Sequence, residues 1–293
     1  VLGSAVTVNE VALIVSVMIA VPTGKAALAR DTVFAAVMIV CNGIVGLCLL
    51  WGGARHHEQG FQAHGASAAL AVLAALTTLT LILPNFATTA PGPYFSTAQL
   101  VFAGIVSLLL YGAFVFVQTV RHRDYFLPVR GGTEETHAPP PSNATAIMSV
   151  GILLAALVAI VGLAKVLTPT IEFGVASLNA SEAVVGIVIA TLVLLPEGLA
   201  ALRAAQANRL QTSLNLALGS ALATIGLTIP AVAVVSIVLQ RPLELGLNAK
   251  EEVLLVLTLV VNVITLGTGR TTVLQGIVHL VIFAAFLFFA LVP

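Results

Sequence analysis

Residues 190–230 read ATLVLLPEGLAALRAAQANRLQTSLNLALGSALATIGLTIP. One carboxylate, Glu197, stands directly after Pro196 in a long apolar run. A short basic turn with Arg203 and Arg209 follows, then a second apolar run studded with Gly, Ser and Thr. An ionisable side chain within so apolar a run is costly in hydrocarbon, and for that reason it marks a functional site.

The rest of the chain fits the same solvent. Of its 293 residues, 59% are hydrophobic and only 8% charged, with a mean hydropathy of +1.10. Soluble domains carry about 25% charged residues. Apolar runs fall at 1–21, 31–52, 66–84, 97–119, 146–168, 183–202, 212–239, 252–267 and 272–292. Each is about as long as a bilayer crossing requires. Strand-type alternation is absent and Ala, Leu and Gly are abundant, so the spacing predicts an all-α polytopic bundle of nine crossings rather than a β-barrel. Net charge is zero and there is no basic stripe, which gives nucleic acid no purchase. Cys41 and Cys48 lie two turns apart on one helix, too far for a disulfide, and read as small packing residues. The chain opens at Val1 inside an apolar run, with no signal peptide visible.

Turn residues separate the runs, and Asp31-Thr32 and Thr212-Ser213 are expected to cap their helices. The one long polar segment, 121–144, carries Arg121, Arg123, Asp124, Arg130, Glu134, Glu135 and a triple proline, and reads as a linker between two halves. Arg55, Arg121, Arg123, Arg130, Arg203, Arg209 and Arg270 fall on the linker's side of the membrane, against Lys25, Arg30, Lys165, Arg241 and Lys250 on the other. That bias places the linker in the cytoplasm.

The halves resemble each other. Residues 145–293 hold five runs, with Glu197 in the second. Residues 1–120 hold four, with Glu10 in the first. The helix after each carboxylate reaches a small or polar pair about eleven residues in, Asn42-Gly43 in one half and Ala223-Thr224 in the other. An internal repeat lacking the leading helix of its first copy accounts for this, and an odd number of crossings per copy forces the two into inverted orientations. At 1.5 Å per residue both carboxylates lie about 16–21 Å from the same side, near mid-bilayer, where they could meet.

A hard cation drawn to such a pair would need several further oxygens. Beyond Glu10 and Glu197 as the metal-binding pair, Pro196 is expected to free the carbonyl of Leu192. Ser220, Thr224 and Thr228 share one helix face, Thr7 stands one turn before Glu10, and Asn42 and Asn215 offer amide oxygens. Burial disfavours a charged carboxyl group, and two close carboxylates titrate together. An empty site of this kind holds protons that a cation must displace, and exchange follows if the doubly charged empty site cannot reorient. Several of these residues also have plain readings. Ser220, Thr224 and Thr228 suit close helix contact. Gly43, Gly46, Gly219 and Gly226 suit packing or hinges, His279 an interhelical hydrogen bond, and Glu251 and Glu252 the acidic first turn of a helix.

With LLPEGLAALRAAQANRLQTSLNLALGSALATIGLTIP (194–230), VTVNEVALIVS (6–16), RDTVFAAVMIVCNGIVGLCLL (30–50) and TGRTTVLQGIVHLVIFAAFLFF (268–289), the chain resembles bacterial calcium/proton antiporters of the ChaA type, within the calcium/cation exchanger superfamily. The resemblance implies that Glu10 and Glu197 are the acidic residues of the two repeats. It also implies that Gly219-Ser220 and Asn42-Gly43 line one cation and proton site. Two features depart from the family pattern. Asn9 and Pro196 stand directly before the acidic residues where the family has Gly-Asn-Ala, and Ala223 replaces a frequent Gln. The linker, with Glu134, Glu135 and His137, is poor for a regulatory acidic helix.

The expected function is Ca2+/H+ antiport by alternating access in a bacterial inner membrane, with Na+(K+)/H+ antiport at the same site as the alternative. A passive cation channel is the competing class; a single acidic residue per half argues against the charged rings of such pores. No hydrolase motif is present, so no enzyme is expected. The ions are cargo, no cofactor is expected, and a homo-oligomer is left open.

Overall fold

The computed structural model describes residues 27–127 and 183–292, with isolated positions between 144 and 174. Glu10 and Thr7, the run 1–21 and the linker beyond Leu127 lie outside the described residues. Seven helices are described: α1 (Leu28–His56), α2 (Ala63–Phe86), α3 (Thr97–Arg121), α4 (Ala183–Gln206), α5 (Leu210–Leu239), α6 (Ala249–Leu266) and α7 (Val273–Leu291). All but α6 are long and apolar enough to cross a membrane; α6, of 18 residues, carries Lys250, Glu251 and Glu252 in its first turn. The all-α polytopic architecture is therefore as expected. Seven of the nine apolar runs are described helices, while 146–168 is described only at isolated positions.

Helix α1 is the hub, nearly all buried and packed against α4, α5 and α7. Helices α3 and α7 lie at the outside, with Phe102, Leu109, Leu274 and Val281 all more than 60% exposed. A surface of this kind belongs in lipid. Helix α4 separates its faces cleanly. Ala190, Leu194, Glu197, Ala201 and Ala205, three or four residues apart, are buried, whereas Leu192, Leu195, Pro196 and Leu199 are exposed.

Helix starts differ from two expectations. Helix α1 begins at Leu28, so Asp31 and Thr32 lie inside it rather than capping it; the Thr32 hydroxyl donates to the Leu28 carbonyl (2.8 Å) and Asp31 pairs with Arg30. Helix α5 begins at Leu210, ahead of Thr212 and Ser213. The capping boxes stand elsewhere: Ser96 with Gln99, Asn248 with Glu251, and Thr272 with Gln275. Glu251 and Glu252 occupy the first turn of α6, as read from the sequence.

Polar contacts close both ends of the bundle. At the end where α1 finishes, strands β1 (Gln59–Gly60) and β2 (Arg270–Thr271) pair antiparallel. Buried Gln59 donates to the Ala205 carbonyl and Asn208 Oδ1, both at 3.0 Å, which ties this pair to the α4–α5 turn. At the opposite end, Arg30 bridges Asp31 (2.8 Å) and Glu244 and donates to the Gly246 carbonyl (2.9 Å), while Asn85 bonds Glu252 (2.7 Å) and the Leu247 carbonyl. The Arg30 and Asp31 side chains are only 11% and 9% exposed. Removing one partner of a buried ion pair strands the other charge, at a cost of about 3 kcal/mol. Arg30→Ala is therefore expected to lower the Tm clearly in detergent, and Arg30→Ala with Asp31→Asn less than the sum of the two; additive losses would show that the pair is not coupled.

Candidate cation and proton site

Glu197 sits on the buried stripe of α4, 7% exposed, and neither carboxylate oxygen has a hydrogen-bond partner among the described residues. Ser220 on α5 lies within electrostatic reach of it without forming an aligned bond. No ion pair with Arg203 forms; that side chain is exposed. Ser220, Thr224 and Thr228 of α5 are all buried, and the Thr228 hydroxyl is likewise unpartnered among the described residues. Buried polar groups almost always find partners, so a buried carboxylate with both oxygens open among the described residues is chemically unusual. It suits a guest that supplies positive charge, a proton or a metal ion.

Helix α1, which packs on both α4 and α5, has an irregularity of its own. Within α1, Ile39–Ile44 forms a π segment, and Asn42 sits on it. Such widened turns occur frequently at functional sites; α2 and α3 each carry one as well, at Thr78–Ile82 and Val117–Arg121. Helix α4 packs on this segment: a Cβ on Gly198, the residue after Glu197, would come within 3.2 Å of Ile44. Helices α4 and α5 thus both pack on the π segment and on each other.

Asn42 itself makes bonds the sequence did not reveal. Its Nδ2 donates to Thr258 Oγ1 on α6 (2.8 Å), and its Oδ1 lies 3.3 Å from His279 Nδ1 on α7. Thr258 in turn points its hydroxyl at Met38 Sδ (3.4 Å), and Asn262 Nδ2 donates to the Thr258 carbonyl (2.8 Å) and lies 3.5 Å from the Cys41 carbonyl. Thr258, Asn262 and His279 are fully buried. Thr258 and Asn262, one turn apart in an otherwise apolar run, were the available signal. His279 makes the interhelical bond expected of it.

Other candidates fall elsewhere. Asn215 accepts from Gln211 (3.0 Å) and donates to the Phe126 carbonyl (2.6 Å), which ties it to the segment that follows α3. Gly219 does not pack closely: a Cβ there would meet nothing within 4 Å, and it borders a cavity of about 10 Å3 shared with Gln118, Gln211 and Asn215. Pro196 and Leu192 are both exposed, so the carbonyl that the proline frees lies on the outer face of α4, away from Glu197. Gly43 and Gly46 instead admit α7, where added Cβ atoms would lie 3.3 Å from Phe283 and 3.0 Å from the His279 Cβ. Gly226 packs on Tyr111. Cys41 and Cys48 are buried free thiols. Among the described residues no cluster of three or more His, Cys, Asp or Glu could hold a metal, so a metal site here needs neutral oxygens as well as Glu197.

The chain matches the sodium/calcium exchanger protein family over residues 1–120 and 148–292 and belongs to it. It is 52% identical over 295 residues to the putative ionic transporter y4hA of Sinorhizobium fredii, covering 100% of this chain and 79% of that one. It is 36% identical over 292 residues to the sodium-potassium/proton antiporter ChaA of Escherichia coli, covering 98% and 78%. Its fold is similar to the crystal structure of the selenium-substituted Ca2+/H+ antiporter YfkE, with a TM-score of 0.76 at 18% identity, covering 99% and 83%. The resemblance read from the acidic helices is borne out: this is an integral membrane protein of an exchanger family, not an enzyme.

Proposed function

We propose that the chain is a secondary antiporter exchanging cations for protons by alternating access, with Ca2+ as the leading cation. The observation that carries this reading is the Glu197 carboxylate: buried, with both oxygens unpartnered among the described residues, near Ser220 of α5. A carboxylate so placed is neutralised either by a proton or by a cation, and competition between the two is what couples their movements. Glu10, at the corresponding place in the first repeat, supplies the second carboxylate and the charge balance that a divalent ion needs. Asn42 contributes an amide oxygen, and Gly43 lets its helix close on α7. Thr7 assists Glu10, one turn away. Residues 1–120 and 145–293 form the two inverted repeats, and 121–144 faces the cytoplasm of a bacterial inner membrane. The excess of arginine on that side supports this orientation.

Na+(K+)/H+ exchange at the same site is the second reading. It is favoured by the likeness to a sodium-potassium/proton antiporter, ChaA, and by a hydroxyl, that of Ser220, rather than a further carboxylate near Glu197 among the described residues. Full-length protein in proteoliposomes with an imposed pH gradient separates the two. Proton efflux is expected on adding Ca2+, with Mg2+ inert; efflux driven only by Na+ or K+ transfers the assignment to the second reading. Cation current with no proton movement would make the protein a channel and overturn both.

A further inference from the structure

We propose that His279 is a positioning residue for the cation site, holding the Asn42 amide so that its oxygen is presented in one orientation. The inference rests on the reading of Asn42 as a ligand. An asparagine amide has two faces of opposite chemistry, and only Oδ1 can bind a cation. Two contacts fix which way it turns: Nδ2 donates to Thr258 Oγ1 (2.8 Å), and His279 Nδ1 faces Oδ1 at 3.3 Å. Thr258 uses its own proton toward Met38 Sδ, so its oxygen is left to accept from Asn42. The carbonyl oxygen of Asn42 must therefore be the partner of His279, which requires the tautomer with hydrogen on Nδ1. That hydrogen lies toward Oδ1 and toward the Cys41 carbonyl as well, so at least one lone pair of Oδ1 is left for a cation.

Two features argue against a plain structural fastening. The cluster is incompletely paired: His279 Nε2 and Asn262 Oδ1 are buried with no partner among the described residues. A network built only to lock helices gains most when every member is satisfied. The clustering also falls on the one π segment of α1, next to the helix that carries Glu197. Helix α7 approaches closely enough to place the ring there because Gly46 faces the His279 Cβ. His279 forms no hydrogen bond with Glu197 and meets Asn42 instead, so it acts through Asn42 and is not itself a ligand.

The test compares His279→Phe, which keeps a ring and removes the donor, with His279→Asn, which keeps a donor. Both are made in full-length protein, in proteoliposomes with Ca2+ and a pH gradient. His279→Phe is expected to raise the cation KM at least tenfold with kcat within about threefold, and His279→Asn to stay within about threefold of the parent in both. Combined with Asn42→Ala, His279→Phe should add no further loss. Equal effects of the two His279 variants, an unchanged or lowered KM, or additivity with Asn42→Ala would overturn the proposal. Histidine 15N NMR of the parent protein gives a second measurement independent of how the variants fold. The His279 Nδ1 resonance should shift on adding Ca2+ and not do so in Asn42→Ala; a resonance indifferent to Ca2+ counts against the proposal. If Glu197→Gln retains full exchange, the underlying site reading fails instead, whatever the His279 variants do.

Discussion

Glu197→Gln is expected to abolish cation-driven proton movement, by at least a hundredfold in initial rate, while leaving the protein folded. The substitution is nearly isosteric, so packing along the α4 stripe of Ala190, Leu194 and Ala201 is kept. It removes the one group among the described residues whose charge a cation or a proton can take up in the middle of the bundle. No stabilising bond is lost, because the carboxylate oxygens have no partners to lose among the described residues. The Tm should therefore be unchanged or higher, since burying an unpaired charge or carboxyl group is costly. Loss of transport with a preserved Tm identifies a transport group; exchange persisting in the variant would remove Glu197 from the coupling site. Glu10→Gln is expected to behave in the same way.

The second large effect is structural and lies where α1 meets α7. A Cβ on Gly276 would collide with the Leu50 amide nitrogen and approach the Leu50 Cα to 2.8 Å and the Gly46 carbonyl oxygen to 2.9 Å. These are backbone atoms in the middle of a helix and cannot swing aside. Gly276→Val must therefore drive the two helices apart, at more than about 3 kcal/mol, the upper end of overpacking costs. The separation would also draw His279 away from Asn42, one turn on. Loss of monodisperse protein on size exclusion is expected. Gly112→Ala is the control, since a Cβ there meets nothing within 4 Å; it should be neutral or stabilising by up to about 1 kcal/mol, as for glycine replaced in a helix interior. Similar behaviour of the two variants would show that close approach of α1 and α7 is not what Gly276 provides.

The positions of the helices were readable because crossing a bilayer demands a long apolar run, and such runs survive as composition alone. Glu197 was readable for the complementary reason: a charge in such a run is conspicuous. What periodicity could not convey was which faces meet. Asn215 and Asn42 looked alike as amide donors, yet one is consumed holding the Phe126 carbonyl and the other meets α6 and α7. Pro196 suggested a freed carbonyl beside the carboxylate, but adjacent residues on a helix point about 100° apart, and its own face turns outward. The caps at Asp31 and Thr212 failed because the helices extend past the apolar runs into polar sequence, where Arg30, Asp31 and Gln211 find partners at the ends of the bundle. The π segment leaves no mark in hydropathy, and with it the Asn42–Thr258–His279 cluster escaped notice.

The central claim is that one buried carboxylate site carries both cation and proton, and proton release on cation binding tests it most directly. Full-length protein in weakly buffered detergent solution is titrated with Ca2+ while a pH indicator records released protons. Release in proportion to the cation bound is expected, sharply reduced in Glu197→Gln. Saturable cation binding with no proton release from the parent protein would contradict it.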